Sequence, residues 1–379
     1  MNYPVLRTLC RIPLNITKIN YYHLYQDILG SAGGFRLNPI VVIKIINNLN
    51  FARMVSFFKT QFFYGRIVNA FQRQFNHDIF LPKSTVIEPT FRCNLSCSDC
   101  YAPKGSDVMD PDLFESIITQ SEELGIFRTV LMGGEPTLQE SVDAVLPTIK
   151  KHSNTFFTFC TNCTMINENY LKQFKGVNNI AFLLSMEGTK KLTEQRRGKG
   201  VYEQYLKAFK LLRKHQIAYA ISITIYPDTW SEQAGYEVIE NYAKAGGTVI
   251  YTYILFDKTT MSQKVVPRVE FLKQLQSIVK KYPLFLVDGQ FGKMTKAGII
   301  PRDLTQVCID VHGNVRPSRF IYKPVYGNLK NKLLKEVLGD KELIKVKFNG
   351  RINSANLLND QVLSLREQGF KVSQFNWKK

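Results

Sequence analysis

The sequence predicts an α/β fold in which a parallel sheet carries helices on its outer side. Two observations carry this. From residue 84 onward, short apolar runs rich in β-branched and aromatic residues alternate with amphipathic helical stretches, the signature of repeated β–α units. Every stretch of chemically capable residues follows one of those runs, as it does in barrels whose sites lie at the carboxyl ends of their strands. A chain of 379 residues, 45% hydrophobic and 12% aromatic, has enough apolar surface for an ample core.

Residues 1–83 read as a basic, mainly helical segment. They hold ten Lys/Arg against Asp27 and Asp78, a net charge of +8 out of +19 for the chain. Pro39 can start a helix through Ile46. From Phe51 to Phe75 the pattern is helical, with Phe57, Tyr64 and Phe71 sharing one side at seven-residue spacing. At 3.6 residues per turn Lys59, Arg66 and Arg73 fall nearly opposite. Two readings stand: a helical pair packed on the enzyme domain, or a membrane-surface helix whose aromatics enter the headgroup region while its cations meet anionic lipid.

The first strand is expected at 85–89. A helix follows at 111–124, with Asp110 as N-cap and Pro111 at its first position. Further strands are expected at 128–132, 156–160, 180–185, 218–225 and 248–255. Helices are expected at 139–152, 167–174, 202–215, 232–245 and 268–281. No run reaches eighteen apolar residues, no internal repeat is visible, and the N-terminus lacks the charged start and long apolar run of a signal peptide. Seven cysteines, three in one short loop, suit a reducing cytoplasm better than a disulfide scaffold.

That loop is Phe91-Arg92-Cys93-Asn94-Leu95-Ser96-Cys97-Ser98-Asp99-Cys100-Tyr101. Its C-x₃-C-x₂-C spacing offers three soft thiolates, enough for one iron–sulfur cluster and too few to close a four-iron one. One iron would keep an open position for chemistry. A structural zinc site is the bland alternative, although such sites close with four ligands and the loop offers no His or fourth Cys. Cysteines in no site at all are the other.

The loop, with an aromatic directly after its last cysteine, resembles the signature of the radical S-adenosylmethionine (radical SAM) superfamily. Gly133-Gly134-Glu135-Pro136-Thr137 resembles the family's second hallmark. The resemblance covers roughly Thr85 to Leu255. It implies a partial (β/α)6 TIM-like barrel over 84–284, one [4Fe–4S] cluster on Cys93, Cys97 and Cys100, and SAM on the fourth iron. An electron from the cluster would then cleave SAM to methionine and a 5′-deoxyadenosyl radical. Gly133, Gly134, Glu135 and Pro136 are implied to bind SAM, with Tyr101 and Asn162 beside them. The Ser-x-acidic-Gly stretch at Ser185 and a later arginine, Arg197 or in its place Arg196, correspond to residues that hold the SAM ribose and carboxylate, and Thr224 to one near the ribose or adenine. At Cys163 the family commonly has glycine, and Cys160 and Cys163 form a second C-x₂-C.

Residues 285–379 resemble, in degenerate form, the SPASM/twitch extension of radical SAM maturases. His312-Gly313-Asn314 reads as a hairpin turn after Cys308, but Ser318 stands where a cysteine is expected and no cysteine follows. A small α+β extension without auxiliary clusters is expected.

The basic charge favours anionic partners, and an external flavodoxin- or ferredoxin-like donor is implied. The substrate expected first is membrane-borne, a lipid or isoprenoid, with the protein cytoplasmic and peripheral on the inner face of an anionic membrane. The alternative is maturation of a ribosomally made peptide. An RNA substrate has only the charge in its favour, and a non-catalytic SAM or iron sensor would not need an open cluster site.

Overall fold

The computed structural model describes residues 49–344, apart from 77, 99, 101, 226–236, 238–249, 255–272, 274, 275, 278–280, 282–284, 290, 291, 296, 297, 301–305 and 317–322. The expectations for Cys10, the helix after Pro39, Tyr101, Ser318 and the tail from 345 lie outside these residues. So do the Thr224 side chain and nearly all of the helices expected at 232–245 and 268–281.

One sheet organises the chain. Its parallel strands are β1 (Ser84–Thr90), β2 (Arg128–Gly133), β3 (Phe156–Thr161), β4 (Ile180–Met186), β5 (Ala218–Ile225), β6 (Ile250–Ile254) and β7 (Phe285–Gly289), in that spatial order. β8 (Gly292–Thr295) and β9 (Gly298–Ile300) extend the β7 edge antiparallel. At the other edge β10 (Gln306–Ile309) pairs parallel with β1, followed by antiparallel β11 (Asn314–Arg316) and β12 (Gly327–Asn328). All six expected strands are present. The parallel set exceeds six because β7 and β10 join it from beyond the repeated β–α units. The sheet stays open between its β9 and β12 edges, as a partial barrel does.

Strand alternation sorts the side chains. Ile87, Leu131, Phe157, Phe159, Phe182, Leu184, Ile221, Ile223 and Ile309 belong to the main core under the helices. Val86, Met132 and Cys308, with Val130 and Cys160 against them, form a separate cluster on the opposite, concave face. The helices supply matching stripes. In α3 (Pro111–Glu123) Phe114, Ile117 and Ile118 are fully buried, and each contributes roughly 1.5–3 kcal/mol. Asp110 caps α3 through the amides of Asp112 and Leu113. α4 (Gln139–Lys151), α5 (Glu168–Leu171) and α7 (Val201–Lys214) follow where helices are expected. Between β4 and α7 lies α6 (Lys190–Arg197), which the sequence does not announce: Leu192 is its only apolar residue, so it has no periodic stripe. Thr189 caps it through the Leu192 amide.

The N-terminal segment departs from the expected geometry. Its α1 (Phe51–Phe57) and α2 (Asn69–Phe75) flank an i→i+5 bonded π-helical stretch, Phe58–Val68. That wider turn breaks the seven-residue alignment assumed from 3.6 residues per turn. Arg66 is therefore buried like Tyr64, Arg73 is half-buried, and of the expected basic side Lys59 alone is exposed. Phe57 packs on Phe156 at 5.8 Å and Tyr64 on Phe127 at 4.6 Å. Asn69 donates to the carbonyls of Pro82 and Gly125. These contacts cover the amino ends of β1, β2 and β3.

Candidate functional site

Parallel strands deliver their following loops to one side. The cysteine loop leaves β1, the Gly-Gly-Glu-Pro turn leaves β2, Asn162 follows β3, and Glu187 follows β4 with Ser185 still on it. This mouth is opposite the N-terminal segment by about the length of a strand, roughly 20 Å.

The glycine turn is built to meet the cysteine loop. A Cβ on Gly134 would lie 1.9 Å from the Arg92 carbonyl oxygen, and one on Gly133, at φ +117°, would lie 2.5 Å from that of Thr90. The amides of Gly134 and Glu135 donate to those same carbonyls at 2.9 and 2.7 Å. The close approach that requires glycine here is to the loop backbone.

Glu135 is buried, 1% exposed, and turned into the protein. Its Oε1 accepts from the Thr137 amide at 3.0 Å and the Thr137 hydroxyl at 2.5 Å, and its Oε2 from the Asn162 amide at 2.7 Å. Burial raises its pKa, and these donors oppose the rise. Its carboxylate thus braces the ends of β2 and β3. Pro136 is buried beside it, and Ser185 is half-buried on β4.

Arg197 does not present an open fork. It grips buried Glu187 through Nε to Oε2 at 2.7 Å and Nη2 to Oε1 at 2.9 Å, while Arg196 Nη1 adds 2.5 Å to Oε1. Two guanidiniums therefore share one carboxylate. The carbonyl of Arg196 accepts from the Ser98 amide at 3.1 Å, which ties α6 to the cysteine loop.

The three loop thiols are half-buried to exposed. Burial pushes the Cys93 thiol up to about 11, against the Leu95 N–H bond. Burial also raises that of Cys97, while Arg197 and Arg196 pull it down. Cys93, Cys97 and Cys100 stand within eight consecutive residues of one loop. Among the described residues no set of three or more His, Cys, Asp or Glu converges as the ligands of a single metal ion do. Thiolates on separate irons of a cluster need no such convergence. Three thiols, no His or fourth Cys within the loop and flanking cations fit an anionic four-iron cluster with one open iron.

Residues 87–235 match the model of the radical SAM superfamily. Over these residues the chain is similar to the radical SAM superfamily. It is 28% identical over 169 residues to a cysteine-type anaerobic sulfatase-maturating enzyme of Clostridium novyi, covering 38% of this chain and 44% of that one. It is 26% identical over 176 residues to the sporulation killing factor maturation protein SkfB of Bacillus subtilis, covering 45% and 42%. The chain thus spans less than half the length of these curated relatives. Its fold is similar to that of Streptococcus suis SuiB bound to precursor peptide SuiA, with a TM-score of 0.58 at 17% identity, over 73% of this chain and 70% of that one. Radical SAM domains use a [4Fe–4S] cluster and SAM.

The structure adds three features that the sequence reading did not assign. Glu88 and Arg316 form an ion pair on the concave face, with side chains 0% and 1% exposed. Arg316 also donates to Cys308 Sγ at 3.5 Å. A glutamate inside the apolar β1 run was the available signal for the pair. Asn94 and Thr137 carry side-chain bonds between the mouth loops. Cys163 is fully buried at φ +72°, which explains why glycine is common there in the family.

Proposed function

We propose that the chain is a radical SAM enzyme that reductively cleaves SAM at a single [4Fe–4S] cluster and modifies a ribosomally made peptide. The observation that carries this reading is the joining of the cysteine loop to the Gly-Gly-Glu-Pro turn at the carboxyl mouth of a parallel barrel. Cys93, Cys97 and Cys100 would hold the cluster. When bound, it supplies the electron that breaks a carbon–sulfur bond of SAM and yields the hydrogen-abstracting 5′-deoxyadenosyl radical. Gly133, Gly134 and Pro136 shape the SAM side of the mouth, Ser185 stands near the end of β4 next to it, and Thr224 is assigned to the SAM ribose or adenine. Glu135 and Asn162 fix the turn and the loop. Arg197 and Arg196, held by Glu187, set positive charge beside Cys97. The catalytic barrel is assigned to residues 84–284, flanked in sequence by 1–83 and 285–379, and a flavodoxin- or ferredoxin-like protein is assigned as the source of electrons.

The peptide reading is favoured over a membrane-borne substrate for two reasons. The similar proteins include maturation enzymes, and SuiB is bound to a precursor peptide. Two of the three residues on the apolar side of 51–75, Phe57 and Tyr64, pack on Phe156 and Phe127, at the end of the barrel away from the cysteines.

Anaerobic reconstitution with iron and sulfide, followed by SAM and dithionite, tests the chemistry. Wild type should give 5′-deoxyadenosine, and Cys93→Ala, Cys97→Ala and Cys100→Ala should each give none. Full SAM cleavage in any of these variants would remove the assignment. Peptide and lipid profiling of a deletion strain complemented with wild type or Cys97→Ala tests the substrate class. A difference confined to lipids would overturn the peptide reading.

A further inference from the structure

Asn162 lies 5% exposed between β3 and the cysteine loop, and all four positions of its amide are occupied. Its Oδ1 accepts from the Thr164 amide at 3.0 Å and the Thr164 hydroxyl at 2.7 Å. Its Nδ2 donates to Asn94 Oδ1 at 2.8 Å and to Cys93 Sγ at 3.9 Å. Asn94 closes the ring by donating to Thr164 Oγ1 at 2.7 Å. The orientation of an asparagine amide is ordinarily ambiguous. Here it is fixed, because a backbone N–H can only donate and the Thr164 amide must meet the oxygen end. The NH₂ end therefore faces Cys93. The Asn162 backbone is held in turn by Glu135.

We propose that Asn162 is a positioning residue for the cluster: it orients the Cys93 sulfur and, by donating to it, raises the reduction potential of the iron that Cys93 binds. Hydrogen bonds to cysteine sulfur withdraw charge from a cluster and favour the reduced state, and partners outside the ligand set orient the ligands themselves. The Leu95 amide, 3.5 Å from the same sulfur, is a second donor of backbone origin. Asn162 is the donor that a mutation can remove. Its place directly after β3 means that the strand end sets both the position of the loop and the electronics of one thiolate. This inference rests on the reading of Cys93 as a cluster ligand.

The test is an EPR-monitored redox titration of the reconstituted full chain without SAM, alongside iron and sulfide analysis. Wild type should hold four irons per chain. A wild type without a four-iron cluster would defeat the functional reading itself, before the inference is reached. In Asn162→Ala the potential should fall by at least the equivalent of a tenfold change in the reduction equilibrium, about 59 mV for a one-electron couple. Loosening of the loop alone would admit water, which stabilises the more highly charged reduced cluster and moves the potential upward. Asn94→Ala leaves the Asn162 donor in place and should stay within a threefold change of wild type. Should Asn162→Ala not fold, Asn162→Leu keeps much of the side-chain volume and removes the donor without adding charge, so its potential should also fall. An unchanged or raised potential in a cluster-loaded Asn162 variant, or an equal fall in Asn94→Ala, would overturn the proposal.

Discussion

The Glu88–Arg316 pair gives the sharpest test of how the C-terminal hairpin is fixed to the barrel. Both side chains are almost wholly removed from water, and Arg316 reaches from β11 across β10 to β1. Asp310, which turns the hairpin by accepting from the His312 and Asn314 amides, stands 3.9 Å from the same guanidinium. Arg316→Met keeps much of the side-chain volume but leaves the Glu88 carboxylate buried without that cation. Breaking a buried pair in this way costs roughly 3–5 kcal/mol, a large part of a typical total stability of about 5–15 kcal/mol. Replacing both charges, as Glu88→Gln with Arg316→Met, removes the stranded charge and should recover most of the loss, since neutral replacements of buried pairs are often close to neutral. Urea unfolding of wild type, both single variants and the double variant yields the coupling energy directly. A loss below about 1 kcal/mol in Arg316→Met, or a double variant that merely sums the singles, would refute the reasoning.

Three further outcomes are expected. Gly134→Ala should lose most bound iron after reconstitution, because its Cβ would meet the Arg92 carbonyl at 1.9 Å; wild-type iron content would show that the turn and the loop part easily. Cys163→Gly should unfold within about 1 kcal/mol of wild type, since glycine suits φ +72°, whereas Cys163→Val should cost roughly 2 kcal/mol or more, because a β-branched residue is strained there; equal midpoints would contradict this. In cluster-free protein the Cys93 thiol, raised from 9.0 to about 11, should carry about a hundredfold less reactive thiolate at pH 8 than at its ordinary value. Its alkylation, followed by peptide mass spectrometry, should keep rising about tenfold per pH unit toward pH 11, and a plateau near pH 9 would show that burial does not hold the proton.

The sequence by itself determined the local chemistry and the order of the barrel. Strand-length apolar runs marked six parallel strands because sheets covered on one face by helices need β-branched and aromatic residues in short blocks. The Asp110-Pro111 start of α3 was legible because capping is a local matter. The cysteine spacing and the Gly-Gly-Glu-Pro turn were legible because each lies within a few consecutive residues. Tertiary structure decided what depends on partners distant in sequence. No local pattern shows that β10 pairs with β1 across more than two hundred residues, or that Glu88 meets Arg316. Nor does any local pattern show that Arg197 pairs with Glu187, or that the Glu135 oxygens accept from Thr137 and Asn162. The basic face of 51–75 was read at 3.6 residues per turn, and the wider i→i+5 turn, packed against Phe127 and Phe156, carried Arg66 inside. Spacing along the chain fixes which atoms a segment can offer. Burial and long-range packing fix which of those atoms remain available to a ligand.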